Sequence, residues 1–173
     1  MDTEIRRAQP SDARGLAIVH VRAWQAAYRG LVPDAVLDGV SVAAREERWR
    51  ALLSGGSRTL VACDSGTVAG LCSVIAPARD PRLPADAAEI AAIYVDPDRW
   101  RAGLGRALLR TALGELRDEG FATAVLWLLE GNDRALRFYE ACGFVPDGAT
   151  KIEPVGSVER AEGLPQIRLR RAL

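Results

Sequence analysis

Residues 88–109 read AEIAAIYVDPDRWRAGLGRALL, and this join constrains the fold more than any other stretch. An apolar, strand-like run meets a polar break, then two glycines one residue apart, then a helix-like run. Such a junction leaves unpaired N–H groups at the positive end of a helix dipole, which suits a phosphate or pyrophosphate. Gly103 and Gly105 would let a ligand approach the main chain with no Cβ in the way. Arg99, Arg101 and Arg106 add positive charge beside it. A tight turn without a ligand is the competing reading of this stretch alone. Two better-known phosphate motifs do not fit. A dinucleotide fingerprint needs a small residue three positions after the second glycine, where Leu108 stands. A P-loop needs Gly-Lys-Ser/Thr, and Arg106-Ala107 stands there instead.

Around that junction the periodicity predicts short elements. A strand over 3–9 stops at Pro10, and a helix over 11–28 opens on Ser11 as its candidate cap, with Leu16, Val19, Ala23 and Ala27 at helical spacing. A second helical region, DAVLDGVSVAAREERWRALLS, is interrupted near Gly39. Strands follow over 58–64 and 67–76, joined by a Ser65-Gly66 hairpin turn, and after a Pro- and Asp-rich loop a third runs over 88–95. A helix from about 104 to 119 ends at Gly120. The nearly all-apolar TAVLWLL (123–129) reads as a strand buried on both faces. A helix over 132–142, capped by Asn132 and stopped by Gly143, precedes two last strands in FVPDGATKI and PQIRLRRAL. The expected order is β-α-α-β-β-β-α-β-α-β-β in one mixed α/β domain spanning 1–173, with no repeat or linker.

Composition narrows the partners. Twenty-three basic and 23 acidic residues cancel, which argues against nucleic acid, and no apolar run approaches the roughly 20 residues of a membrane helix. The N-terminus lacks the apolar core of a signal peptide, so the cytoplasm is the expected compartment. Cys63, Cys72 and Cys142 form no CxxC pair and His20 is the single histidine, so no metal site is expected; these residues read as structural.

The stretch EIAAIYVDPDRWRAGLGRALL followed by NDRALRFYEACGF resembles the GCN5-related N-acetyltransferase superfamily, and VRAWQAAYRGLVPDAVL resembles the first-helix region of many bacterial members. Trp100 departs from the usual Q/R-x-x-G-x-G/A turn at its first position, while both glycines are in place. The resemblance implies a central, mostly antiparallel mixed sheet of about seven strands flanked by about four helices. It implies acetyl-CoA as donor, with its pyrophosphate on the N–H groups of Arg101, Ala102, Gly103, Leu104, Gly105 and Arg106. Main chain of Ile93, Tyr94 and Val95 would supply the oxyanion donor and pair with the pantetheine arm. The N-x-x-A-x-x-x-Y pattern falls on Asn132, Ala135 and Tyr139, making Tyr139 the expected general acid and Asn132 both cap and pantetheine contact. Glu89, four residues before Ile93, is the expected base, acting through water and touching the acceptor. The acceptor pocket is expected between the loops AYRGLVPDAV and TKIEPVGSVERAEGLP, with Trp24 and Tyr28 as candidate walls. Asp34, Asp38, Glu46 and Glu47 are offset by Arg29, Arg45 and Arg48, so no polyamine-binding field is legible. The expected reaction is direct acetyl transfer to the primary amine of a small molecule. A protein acetyltransferase acting on an N-terminus or lysine is the alternative, and a non-catalytic acetyl-CoA-binding module is another. A homodimer is the expected assembly.

Overall fold

The structure, a computed structural model, describes residues 3–153 and 163–173. In chain order the elements are β1 (Thr3–Arg7), α1 (Ala13–Tyr28), α2 (Asp34–Asp38), α3 (Val42–Ser54), β2 (Arg58–Asp64), β3 (Thr67–Ile75), β4 (Ala87–Val95), α4 (Leu104–Asp118), β5 (Thr123–Leu129), α5 (Asp133–Glu140), β6 (Val145–Glu153) and β7 (Leu164–Ala172). The expected second helix is two: Gly39 closes α2, and Ser41 starts α3 afresh by accepting the Ala44 N–H at 3.3 Å. This gives five α-helices among the described residues against about four expected. Ser11 caps nothing, because residues 10–12 form a 3-10 turn and the cap position of α1 falls to Asp12.

All seven strands form one sheet, in the order β1-β2-β3-β4-β5-β7-β6. Every neighbouring pair is antiparallel except β4–β5. The hairpin at Ser65-Gly66 has positive φ at both positions, 50° and 79°, the geometry that matches the twist of the strands it joins. On one sheet face α4 buries Leu104, Leu108, Leu109, Ala112, Leu113 and Leu116 against Leu60, Cys72, Ile90, Leu126 and Leu169, with Tyr139 and Phe144 closing the cluster. On the other face α1 and α3 bury Leu16, Val19, Trp49 and Leu53 against Val61 and Leu71. Covering both faces accounts for the nearly continuous apolar run of β5.

Two features of β4 prepare the site. Its pairing with β5 lasts only from Ala87↔Thr123 to Glu89↔Val125. Its pairing with β3 then skips Ala91, since Ser73 faces Ala92 while Val74 faces Ile90. One extra residue on β4 bends it, and beyond Glu89 the parallel pair has parted.

Candidate functional site

The gap between β4 and β5 is a cleft of about 580 Å³. One wall is residues 90–95 of β4; the other is Trp127 and Leu128 of β5 with Asn132, Arg134, Ala135, Phe138 and Tyr139. Ala23, Ala27 and Tyr28 of α1 line a further part of it, and the glycine turn supplies Arg101, Gly103, Leu104, Gly105 and Arg106.

The turn is a bare donor site. Arg101 has φ +68° and Gly103 φ +85°, both left-handed, which brings successive N–H groups round to one side. The first main-chain bond of α4 runs from the Ala107 N–H to the Gly103 carbonyl, 3.0 Å, and no side chain caps the helix. The amides of Leu104, Gly105 and Arg106 are therefore the helix's orphan donors. The two glycines have different reasons. A Cβ on Gly103 would meet no protein atom within 4 Å, so that position is fixed by φ and by space left open. A Cβ on Gly105 would lie 3.4 Å from Phe138 Cζ and 3.6 Å from Val95 Cγ2, ordinary contact distances, so α5 packs directly against this turn of α4. Ala102 is exposed beside them.

On β4 the Asp96 N–H bonds the Ala69 carbonyl of β3, 2.9 Å. Main-chain groups alternate in direction along a strand, so Val95 and Ile93 point toward the cleft and Tyr94 toward β3. Of the three expected main-chain contacts, Ile93 and Val95 have the right edge. The Val95 carbonyl already accepts the Trp100 indole N–H at 2.8 Å. Tyr94 contributes its side chain instead, its hydroxyl bonding with Trp24 and Tyr28.

Tyr139 lies on the inner face of α5, 7% exposed, against Phe138 and Phe144. Burial pushes its phenol far above its ordinary range, with Cys72, Tyr94 and Cys142 as lesser causes, so it stays protonated at any physiological pH. Asn132 accepts the Ala135 N–H through Oδ1 at 3.1 Å and thereby caps α5 at the cleft wall.

Glu89 and Trp24 sit elsewhere than expected. Glu89, expected as the base touching the acceptor, is 3% exposed, and its carboxylate is held by the Arg79 guanidinium, with Nε to Oε2 at 3.1 Å. It is absent from the cleft lining, where Ile90 and Ala91 begin. At Glu89 the β4–β5 pair is still closed, Glu89 facing Val125, and the cleft opens only beyond it. Trp24 is 1% exposed and packs with Val32, Leu37 and Leu129 as core; of the candidate pair, Tyr28 alone lines the cleft. Tyr28 stacks edge-on against it, with centroids 5.1 Å apart, and burial raises its phenol pKa too. The acidic residues of the first loop are paired, Arg29 with Asp34 at 3.1 Å and with Asp38 at 3.0 Å. Most of the expected second acceptor loop, 150–165, lies outside the described residues. Among the described residues no three His, Cys, Asp or Glu side chains are placed to hold a metal, and no helix is long and apolar enough to cross a membrane.

Sequence reasoning missed Arg134, Phe138 and Trp127 as cleft residues. The first two were within reach of helical periodicity, being two and six residues beyond Asn132 on the face that carries Ala135 and Tyr139. Trp127 was hidden in an apolar run, and its ring carries Lys151 Nζ at 4.5 Å and Arg168 Cζ at 5.6 Å from the centroid.

His20, behind Tyr94, gives a pH dependence. Its ring lies 4.5 Å from that of Tyr94 and its Nδ1 is buried without a partner among the described residues. Burial, with Arg45 and Arg48 nearby, lowers its pKa to about 3. An unfolded histidine titrates near 6.5, so below that pH the unfolded chain binds a proton that the folded one refuses. Stability is expected to fall as pH drops from about 6.5 toward 3, by up to about 1.4 kcal/mol per unit from this residue. His20→Phe keeps a ring against Tyr94 and should flatten that slope in chemical denaturation; equal slopes in the two proteins would exclude this origin.

A family model described as "Acetyltransferase (GNAT) family" matches residues 22–144. The chain is 33% identical over 138 residues to the Uncharacterized N-acetyltransferase YuaI of Bacillus subtilis (strain 168), covering 79% of this chain and 77% of that one. It is 46% identical over 59 residues to the [Ribosomal protein bS18]-alanine N-acetyltransferase of Escherichia coli (strain K12), 34% of this chain and 40% of the relative. Among solved structures, the PaiA N-acetyltransferase of Thermoplasma acidophilum in complex with coenzyme A superposes with a TM-score of 0.75 at 18% identity, over 100% of both chains.

Proposed function

Because the chain belongs to the acetyltransferase (GNAT) family, we propose that it moves the acetyl group of acetyl-CoA directly to a primary amine of a small molecule. The reading includes residues 1–173 as one catalytic domain. One observation carries it: the parted β4–β5 pair makes a single cleft with uncapped helix amides at one end and a buried, protonated tyrosine in its wall.

Acetyl-CoA, when bound, supplies the activated acyl group as a thioester. The amides of residues 103–106, with Arg101 and Arg106, would hold its pyrophosphate. Ile93 and Val95 main chain would pair with its arm as a neighbouring strand does, and the Ile93 N–H would donate to the negative charge developing on a carbonyl oxygen. Asn132 and Ala135 flank the same arm. Tyr139 would donate its hydroxyl proton to the departing sulfur. Glu89 is bound to Arg79, so no general base is assigned; the acceptor reacts as the free amine, and the proton it sheds on becoming an amide restores the Tyr139 hydroxyl. Tyr28, which lines the cleft, is the proposed acceptor wall.

A protein N-terminus is the second reading, favoured by the relative that acts on ribosomal protein bS18. A free-thiol assay of CoA release, with acetyl-CoA against a panel of small amines and N-terminal peptides, separates the two. Amine-dependent release is expected, with kcat/KM rising with pH along the acceptor's own ionisation. Release with peptides alone would overturn the small-molecule assignment.

A further inference from the structure

The cleft mouth is bridged. Trp100 stands on the segment following β4, and Arg134 on the first turn of α5, which follows β5. Their strands have parted, yet the Arg134 guanidinium carbon lies 3.4 Å from the centroid of the Trp100 ring. Both residues line the cleft. Trp100 also directs its indole N–H to the Val95 carbonyl at 2.8 Å. That carbonyl lies on the edge of β4 turned away from β3, and an extended chain entering the gap would need it as an acceptor.

We propose that Trp100 and Arg134 form a clasp across the cleft mouth, which parts to admit the cofactor's arm when Trp100 releases the Val95 carbonyl. The inference rests on the reading of the cleft as the acetyl-CoA site. The residue types fit the task. Tryptophan offers both a broad ring face for a guanidinium and one N–H for the carbonyl, and arginine stacks on that face as lysine does not. The position is also where this chain departs from the Q/R of the turn pattern. A glycine turn that binds through its amides does not need that side chain, which frees it for another use. Trp100 and Arg134 are then gating residues: a clasp closed only in the free protein slows entry and lowers affinity, and leaves the rate of exit unchanged.

Protein labelled with 5-fluorotryptophan has four ring signals, from Trp24, Trp49, Trp100 and Trp127, and Trp100→Phe identifies the relevant one. CoA, which supports no turnover, is the probe. Saturating CoA is expected to move the Trp100 signal and leave that of Trp49, in the α1–α3 core, in place. In stopped-flow binding, Arg134→Gln and Trp100→Phe should each raise the association rate constant by about 2- to 30-fold and leave the dissociation rate constant within about threefold of wild type, so that Kd falls. If CoA raises the melting temperature but the Trp100 signal stays put, or the Arg134→Gln association rate constant equals that of wild type, there is no clasp. If CoA does not stabilise the protein at all, the reading of the cleft falls, and the clasp with it.

Discussion

Tyr139→Phe is expected to lower kcat by about 10²–10⁴-fold while leaving acetyl-CoA affinity within a few fold. The substitution removes one oxygen from a side chain that otherwise packs unchanged between Phe138 and Phe144. The ring is 7% exposed and continues the core around α4, so its apolar role survives and the fold should hold. The lost function is a proton held where burial keeps it on oxygen at neutral pH. For the same reason the wild-type profile should show no loss of activity from this phenol between pH 7 and 10. Single-turnover kinetics with a saturating acceptor, beside CoA titrations of both proteins, checks this. An unchanged chemical rate would remove Tyr139 as the acid and leave it as core.

The second large effect is at Gly103. Gly103→Val should weaken acetyl-CoA binding by about 10²-fold or more, so the roughly 2.7 kcal/mol of stabilisation expected at 100 times the wild-type Kd should fall to about 0.4 kcal/mol or less. Two causes act together. A φ of +85° is a conformation that β-branched residues avoid, so the turn must rearrange and its amides lose their common direction. The valine side chain would also project into the space where no protein atom lies within 4 Å. Because that space is empty of protein, the core is not overpacked, and the variant should fold with only the strain of the turn itself. Thermal melts with and without acetyl-CoA, with NAD and ATP as controls, read out both quantities. A folded variant with wild-type affinity would refute the account of the turn.

Much of this architecture was legible from local chemistry. The Ser65-Gly66 hairpin, the cap at Asn132, the stops at Gly120 and Gly143 and the glycine turn all rest on backbone preferences that act within a few residues. Tyr139 and the ligand role of Asn132 were expected from the resemblance alone, through the N-x-x-A-x-x-x-Y pattern. What could not be read is set by contacts between distant segments. Arg79 lies ten residues from Glu89 in a loop of no regular pattern, and nothing in a one-dimensional reading says that the two meet. Trp24 and Tyr28 share a helical stripe, and the boundary between core and cleft falls between them because of where Leu37 and Leu129 pack. The extra residue at Ala91 looks like any other alanine in the run EIAAIYV, although it bends the strand that opens the site. Trp100 was visible as a departure from a pattern, but its partner on another helix was not.

The pairing of β4 with β5 over only three residues has a further geometric meaning. Strands β1 to β4 make one leaf of the sheet and β5, β7 and β6 the other, bound along a spine that ends at the Glu89–Val125 rung. The backbone of Glu89, whose carboxylate is tied to Arg79, therefore closes the wedge. How deep the wedge runs is decided by the number of backbone rungs before the leaves separate. A substitution on its walls can narrow or widen it, but the point where it stops belongs to the main chain.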